Sequence, residues 1–235
     1  MRIAALLTGR GNNTLKDKNL LPVLGKPLLH YPCRAAKRSR HIDTFWVSSD
    51  CPKILEAAEE VGYESIKRPA ELALPTSQHI DAIDHALSVM KKTGYSPDIL
   101  VVMLANSVTI KTEWIDICIQ KLLADEEATA AVPVYQDMDH HPYRCKKLNE
   151  KGYLEPFFDF SNQFISTNRQ DLEPSYFLSH NFWVLNMNTI DRRVGQKPWT
   201  FMGNKVRHLL VDQAFDVHTM EDIKKSEQWL IENEV

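Results

Sequence analysis

The chain has 235 residues, of which 43% are hydrophobic and 25% are charged, so it is long enough and apolar enough to fold around a substantial core. Its formal net charge of −3 argues against a nucleic-acid partner and against an anionic membrane surface. The longest apolar run is far shorter than the roughly 18–20 residues that a membrane-spanning helix requires. The four cysteines are scattered and form no C-x-x-C pair, which favours free thiols in a reducing cytoplasm.

The predicted elements begin with a short apolar run at residues 3–7, which is typical of a buried parallel strand. This run is also too short to be the central region of a signal peptide. A polar loop at 8–19 follows, and Pro27 is expected to open a helix that continues to about Lys37. Later strands are predicted at 43–49, 63–66, 99–104, 128–134 and 182–185, and later helices at 52–61, 77–90, 112–124 and 220–231.

This alternation of strands and helices predicts an α/β domain with a parallel sheet covered on both faces. In such a sheet the loops that follow the strands meet at one edge, where ligands bind. The loops at 8–19, around Asp50 and at 105–111 are therefore the candidates for a binding site. The alternation breaks at about 137–180, a stretch rich in aromatic, asparagine, proline and charged residues. We expect a single domain over 1–235 with an inserted lobe in this stretch.

The first of these loops has the composition of a phosphate-binding turn. Gly9 and Gly11 let the backbone approach a ligand closely, and Arg10 and Lys18 supply positive charge. The loop matches neither the Walker A pattern nor the G-x-G-x-x-G fingerprint, which argues against a P-loop NTPase and against an NAD-binding domain. A solvated connection between a strand and a helix is the alternative interpretation.

Several short motifs follow one another along the chain in the order of one known family. They are Arg10-Gly11 with Lys18-Asn19, GKPL at 25–28, VSSD at 47–50, RPAELA at 68–73, RQDLEPSY at 169–176, and Asp216 with Asp222. In this order they resemble the acylneuraminate (CMP-sialic acid) cytidylyltransferase family. The resemblance runs in register from about residue 1 to residue 230.

The resemblance implies a Rossmann-like three-layer nucleotidyltransferase fold with a mostly parallel sheet and a small inserted dimerisation lobe, and hence a homodimer. It also implies an enzyme that couples CTP to an acidic 3-deoxy-2-keto sugar, giving a CMP-sugar and pyrophosphate. The charge that develops in this reaction lies on phosphate oxygens, so cations and backbone N–H donors are expected to carry most of the catalysis.

The resemblance assigns roles to individual residues of this sequence. The expected catalytic residues are Lys18, Arg10 and Asp216. The residues expected to bind the nucleotide are Arg10, Gly11, Asn13, Lys18, Asn19, Arg68 and Ser77, and those expected to bind the sugar are Asn106, Arg169 and Tyr176. The expected ligands of a Mg²⁺ ion, with Mn²⁺ as the alternative metal, are Asp216 and His218.

The sequence departs from the family pattern at some positions. The glutamine that contacts the sugar in relatives falls on Ala105, and the second aspartate of the last motif falls on His218. Imidazole suits softer metals than Mg²⁺, so His218 could instead contact metal-bound water or point elsewhere. Ser77 also suits a helix N-cap, and Arg68 also suits a solvated charge before a proline turn. A CMP-Kdo synthetase, a sugar-phosphate guanylyltransferase and an inactive nucleotide-sugar binding protein therefore stay as alternatives.

Overall fold

The computed structural model describes residues 1–11, 13–191, 193–212 and 214–233. Its helices are α1 (His30–Lys37), α2 (Pro52–Glu59), α3 (His79–Lys92), α4 (Thr112–Leu123) and α5 (Met220–Glu232). Its strands are β1 (Ile3–Thr8), β2 (Pro22–Val23), β3 (Lys26–Pro27), β4 (Thr44–Ser49), β5 (Glu64–Lys67), β6 (Ile99–Leu104), β7 (Ala130–Gln136), β8 (Lys146–Leu148), β9 (Leu154–Pro156), β10 (Tyr176–Leu178), β11 (Phe182–Asn186) and β12 (Val206–Leu210). None of the helices in these ranges combines the length and the hydrophobicity of a membrane span.

In the described ranges, eight strands form one mixed sheet in the order β10-β7-β11-β6-β1-β4-β5, with β12 beside β7. The central strand β1 is parallel to both β4 and β6, and β4 is parallel to β5. The strand β11 runs antiparallel to both β6 and β7, whereas β12 runs parallel to β7. The prediction of an α/β fold with a mostly parallel sheet is confirmed. The prediction did not include the antiparallel direction of β11, because an apolar run indicates a buried strand but not its direction.

The core occupies both faces of this sheet. Every residue of β1 and all but the last residue of β6 are buried, which is why these strands are apolar at every position except Thr8. On one face Cys33 of α1, Ile54 of α2 and Ile115 of α4 belong to a single buried cluster. On the other face Ile83 and Met90 of α3 pack in a second cluster. Each such side chain stabilises the fold by roughly 1.5–3 kcal/mol through burial.

The prediction that Pro27 opens the first helix is wrong. Pro27 lies in β3, which pairs with β2, and α1 begins only at His30. Leu24 and Gly25 make the turn between these two short strands with positive φ angles of 43° and 76°. Proline fixes φ near about −65°, a value that suits an extended strand as well as the first turn of a helix. The residue type at position 27 therefore did not distinguish the two.

The interpretation of Ser77 as a helix N-cap is also wrong. The helix α3 begins at His79, and its N-cap residue Gln78 makes no side-chain hydrogen bond to the first turn. The Ser77 hydroxyl donates instead to the carbonyl oxygen of Glu71 at 2.8 Å. This bond closes the turn that precedes the helix, so the hydroxyl is not available to cap it.

The stretch at 137–180 contains irregular backbone and a separate two-stranded ladder formed by β8 and β9. Several of its large apolar side chains are exposed, and Phe164 is the extreme case at 92%. At the end of the stretch β10 joins the main sheet, antiparallel to β7. Tyr176 therefore belongs to a strand of the sheet.

Candidate active site

A cavity of about 260 Å³ opens at the edge of the sheet where β1 and β6 end. Thr8 and Leu104, the last residues of these two strands, form part of its wall. The predicted site residues that line it are Arg10, Asn13, Lys18, Asn19, Arg68, Ser77 and Asn106. The cavity thus lies at the carboxyl edge of the parallel strands, as predicted for this class of fold.

The asparagines of the first loop hold the loop in shape. The side-chain amides of Asn13 and Asn19 both donate to the carbonyl oxygen of Arg10, at 2.6 and 3.2 Å. The N–H of Gly11 donates to the carboxylate of Asp50 at 3.0 Å. The loop around Asp50 therefore braces the first loop from behind, and together these bonds fix the backbone from which the Arg10 side chain extends.

Three cationic side chains come together at this cavity. Lys18 is only 9% exposed, and burial lowers the pKa of its ammonium group, with the charge of Asp216 opposing this effect and that of Arg10 adding to it. The Arg68 guanidinium donates to the hydroxyl and the carbonyl of Ser48, at 3.1 and 2.7 Å. Burial lowers the pKa of Arg68 to about 10, so this group stays charged at neutral pH. Such a concentration of positive charge in a concave, partly desolvated site favours anions.

The segment after β12 brings Asp216 close to Lys18, although Asp216 is not among the described residues that line the cavity. Asp216 forms an antiparallel bridge with Ser107, and the N–H of Val217 donates to the carbonyl of Asn106 at 3.0 Å. Burial raises the pKa of Asp216 to about 6, while the charge of Lys18 and the side chain of Asn106 act in the opposite direction. The Oδ1 atom of Asp216 is buried and has no hydrogen-bond partner within the described ranges. An unpaired buried carboxylate oxygen is costly unless a ligand engages it.

His218 lies near this carboxylate but at the surface. Its Nε2 atom is 3.9 Å from Oδ2 of Asp216, and its side chain is 68% exposed. The N–H of His218 donates to the carboxylate of Asp222 at 2.9 Å. Asp222 also forms a capping box with Thr219 at the start of α5, so this last aspartate of the motif caps the helix.

His79 lines the cavity, although it was not among the predicted site residues. Its Nε2 atom is 2.9 Å from the hydroxyl of Thr8, which itself donates to the carbonyl of Met103 at 3.2 Å. Because that hydroxyl proton is already used, we assign the proton of His79 to Nε2, which leaves Nδ1 as an acceptor. Burial lowers the pKa of His79 to about 4, with Arg68 adding to the effect, so the ring is neutral at physiological pH. The signal for His79 was its position at the start of a helix that follows a parallel strand, since such starts lie at the ligand-binding edge.

Neither Arg169 nor Tyr176 is among the described residues that line this cavity. The guanidinium of Arg169 is about half exposed and forms an ion pair with Asp139 at 2.5 Å. Tyr176 is 53% exposed, and its ring lies 5.9 Å from that of His208 between centroids. The proposed contacts of these two residues with a sugar stay predictions.

A family model described as cytidylyltransferase matches residues 8–180 of this chain. The matched region begins at the last residue of β1 and includes the first loop, the Arg68 motif and the stretch at 137–180. The segment that carries Asp216 lies after it.

Relatives with related names are similar to parts of the chain. The N-acylneuraminate cytidylyltransferase of Streptococcus agalactiae serotype III is 24% identical over 214 residues, which are 90% of this chain and 49% of that protein. The enzyme of the same name from Escherichia coli O18:K1:H7 is 35% identical over 89 residues, which are 37% of this chain and 21% of that protein. The chain therefore spans half or less of the length of these relatives.

A solved structure supports the same fold. The CMP:2-keto-3-deoxy-manno-octonic acid synthetase complexed with CTP superposes with a TM-score of 0.72 over 100% of both chains, at 15% identity. At this identity the likeness concerns the fold alone. The order of strands and helices described above is thus shared with a nucleotide-binding enzyme.

Proposed function

Because this chain belongs to the cytidylyltransferase family, we propose that it transfers a cytidylyl group from CTP to an acidic 3-deoxy-2-keto sugar, giving a CMP-sugar and pyrophosphate. The observation that carries the proposal is the convergence of Arg10, Lys18 and Arg68 on one cavity close to the carboxylate of Asp216. A triphosphate requires several cationic and N–H contacts of this kind. The names of the relatives support an acidic sugar as the acceptor.

In the proposed reaction the anomeric hydroxyl of the sugar gives up its proton to solvent and its oxygen attacks the α-phosphorus of CTP. The bond from that phosphorus to the bridging oxygen breaks, and pyrophosphate leaves with the electron pair. Arg10 and Lys18 stabilise the charge that develops on the phosphate oxygens. Since Lys18 is almost buried, its interaction with these oxygens is stronger than it would be in water. Arg68 is already held by Ser48, so its remaining N–H groups meet the ligand without reorganisation.

A divalent cation, Mg²⁺ or Mn²⁺, is part of the proposal, with Asp216 as the residue that would hold it. The buried and unpaired Oδ1 atom of Asp216 fits this role, because hard cations prefer carboxylate oxygens. Such an ion supplies neutralisation of phosphate charge when it is bound. The described residues contain no group of three or more histidine, cysteine, aspartate or glutamate side chains arranged around a metal site. His218, whose Nε2 atom is 3.9 Å from Oδ2 of Asp216, would be the second residue near the ion.

The acceptor's carboxylate is proposed to bind Arg169, with Tyr176 packing against the sugar. Arg169 now pairs with the exposed carboxylate of Asp139. An exposed ion pair of this kind is worth no more than about 1 kcal/mol, so an incoming carboxylate can replace it at little cost.

A homodimer is the proposed assembly, with the stretch at 137–180 as the contact. Its exposed apolar side chains are the supporting observation, and Leu154 and Phe164 are 71% and 92% exposed. A second copy would remove this apolar surface from water. Exposed apolar patches commonly mark surfaces that bind another protein. Light scattering after size exclusion tests the assembly, and replacement of Leu154 and Phe164 by serine should give a monomer.

The deciding experiment is pyrophosphate release from each of CTP, GTP, UTP and ATP, with Mg²⁺ or Mn²⁺. The acceptors are sialic, legionaminic, pseudaminic and Kdo-type acids and a hexose 1-phosphate, with a neutral hexose as control. We expect release only with CTP and an acidic sugar. Release with GTP and a sugar phosphate would instead assign a guanylyltransferase. Binding of CTP without release for any acceptor would assign an inactive nucleotide-sugar binding protein.

A further inference from the structure

A second cavity, of about 620 Å³, lies between α1, the beginning of α4 and the end of α5. None of the described residues that line it also lines the proposed active site. Its floor is formed by Ala35 and Ile110, and the ring of Tyr31 forms part of its wall. The Tyr31 hydroxyl donates to the carbonyl of Val23 at 2.7 Å, so the ring is held in place. The cavity is thus a separate, partly apolar and preformed feature of the fold.

The charged groups around this cavity are mostly positive. Lys26, Arg34, Arg38 and Lys111 line it, whereas Glu113 is the one carboxylate among the described lining residues. None of the ion pairs between described residues includes one of these four cations. The ammonium of Lys111 lies 5.7 Å from the ring centroid of Trp114 and 5.6 Å from that of Trp229. The whole chain has a net charge of −3, so this local excess of cations is opposite to the average of the molecule. Like charges around a concavity repel one another unless an anion lies between them.

The N-terminal end of α4 also contributes positive charge to this cavity. The helix α4 begins at this cavity, and its N-cap residue Lys111 makes no side-chain bond to the first turn. The Thr112 hydroxyl is turned away and donates to the carbonyl of Ala35 at 3.0 Å. Among the described residues no side chain therefore caps the first turn, and the positive end of the helix adds to the four cations.

We propose that this cavity binds a small organic phosphate, with Arg34 and Arg38 as its main phosphate contacts. Arg34 lies in α1 and Arg38 is the C-cap residue of this helix, one turn later, so the two belong to the same helix face. Arginine's planar fork of N–H donors suits phosphate oxygens. The volume fits a ligand larger than inorganic phosphate, since small-molecule sites measure roughly 300–1,000 Å³. The apolar floor and the Tyr31 ring suit the organic part. The proposal does not depend on the transfer reaction.

The test is isothermal titration calorimetry of the intact chain with ribose 5-phosphate as the probe and ribose as the matched control ligand. We expect ribose 5-phosphate to bind with a dissociation constant below about 1 mM and ribose not to bind. The Arg34→Gln/Arg38→Gln variant should lose affinity by about tenfold or more, because hydrogen bonds to charged groups are lost. The matched control Lys91→Gln/Lys92→Gln removes two charges from the end of α3, on the other face of the sheet, and should bind like wild type.

Two further measurements test the same cavity without the arginine variant, in case that variant folds poorly. In wild type, the affinity should fall several-fold between about 50 and 200 mM salt, because the contacts are ionic. An Arg10→Gln/Lys18→Gln variant should retain binding, since these residues line the other cavity. The proposal is overturned if ribose binds as well as ribose 5-phosphate or if no heat is seen with either. Loss of binding in the Arg10/Lys18 variant would overturn it as well, since the probe would then occupy the active site.

Discussion

Replacing Asp216 by asparagine should make the folded protein more stable at pH 8. Burial raises the pKa of this carboxyl group from an ordinary value of 3.8 to about 6 in the folded protein. The folded state therefore holds the proton more tightly than the unfolded chain, so this stabilising contribution is complete below about pH 4 and is lost as the pH rises through 6. At pH 8 the ionised carboxylate reduces the free energy of unfolding by roughly 3 kcal/mol, because each pKa unit is worth about 1.4 kcal/mol.

Urea unfolding at pH 5 and at pH 8, without nucleotide or divalent ions, measures this effect. The wild-type protein should lose about 1.4 kcal/mol of stability between these two pH values that Asp216→Asn does not lose. The comparison across pH isolates the titration of Asp216, because any packing difference between aspartate and asparagine acts at both pH values. Asp81→Asn, at an exposed position of α3, is the matched control and should follow the wild type. If Asp216→Asn and wild type show the same pH dependence, the carboxylate is not desolvated and the reasoning fails.

Three other variants test the site and its support. Lys18→Ala should lower kcat for pyrophosphate release by at least about 100-fold with little change in melting temperature, and near-normal turnover would refute its role. Arg169→Ala should raise the KM for the sugar by about tenfold or more and leave the KM for CTP unchanged, so an unchanged sugar KM would count against the proposed carboxylate contact. Asn181→Ala should destabilise the protein by about 2–3 kcal/mol in urea, because this buried side chain donates to the Ser107 hydroxyl and the Thr109 carbonyl at 2.9 and 2.6 Å. A smaller loss would mean that the loop after β6 is held in another way.

The sequence was informative where one short segment carries its own signal. The apolar runs of β1 and β6 indicated buried strands, because only a strand covered on both faces is apolar at every position. The order of strands and helices then predicted the edge at which Arg10 and Lys18 come together. The first loop itself was less fully predicted. The roles of Asn13 and Asn19 as supports of the Arg10 carbonyl depend on a folded loop that no local pattern encodes.

The sequence pattern did not predict contacts between segments that are distant along the chain. The antiparallel pairing of β11 with β6 depends on how the intervening chain returns to the sheet. The inclusion of His79 in the cavity wall depends on its meeting Thr8, which lies far away in the sequence. The basic cavity likewise combines Arg34 of α1 and its C-cap residue Arg38 with Lys111, the N-cap residue of α4.

The sequence by itself determined the class of fold, the position of the binding edge and the cationic character of the first loop, because hydrophobic period and residue charge are local properties. Only the tertiary structure decided which groups lose their water. Burial lowers the pKa of Lys18 and raises that of Asp216 to about 6, and these effects arise from neighbours contributed by separate strands and loops. Desolvation depends on everything that surrounds a group, so no single segment of the chain can encode it.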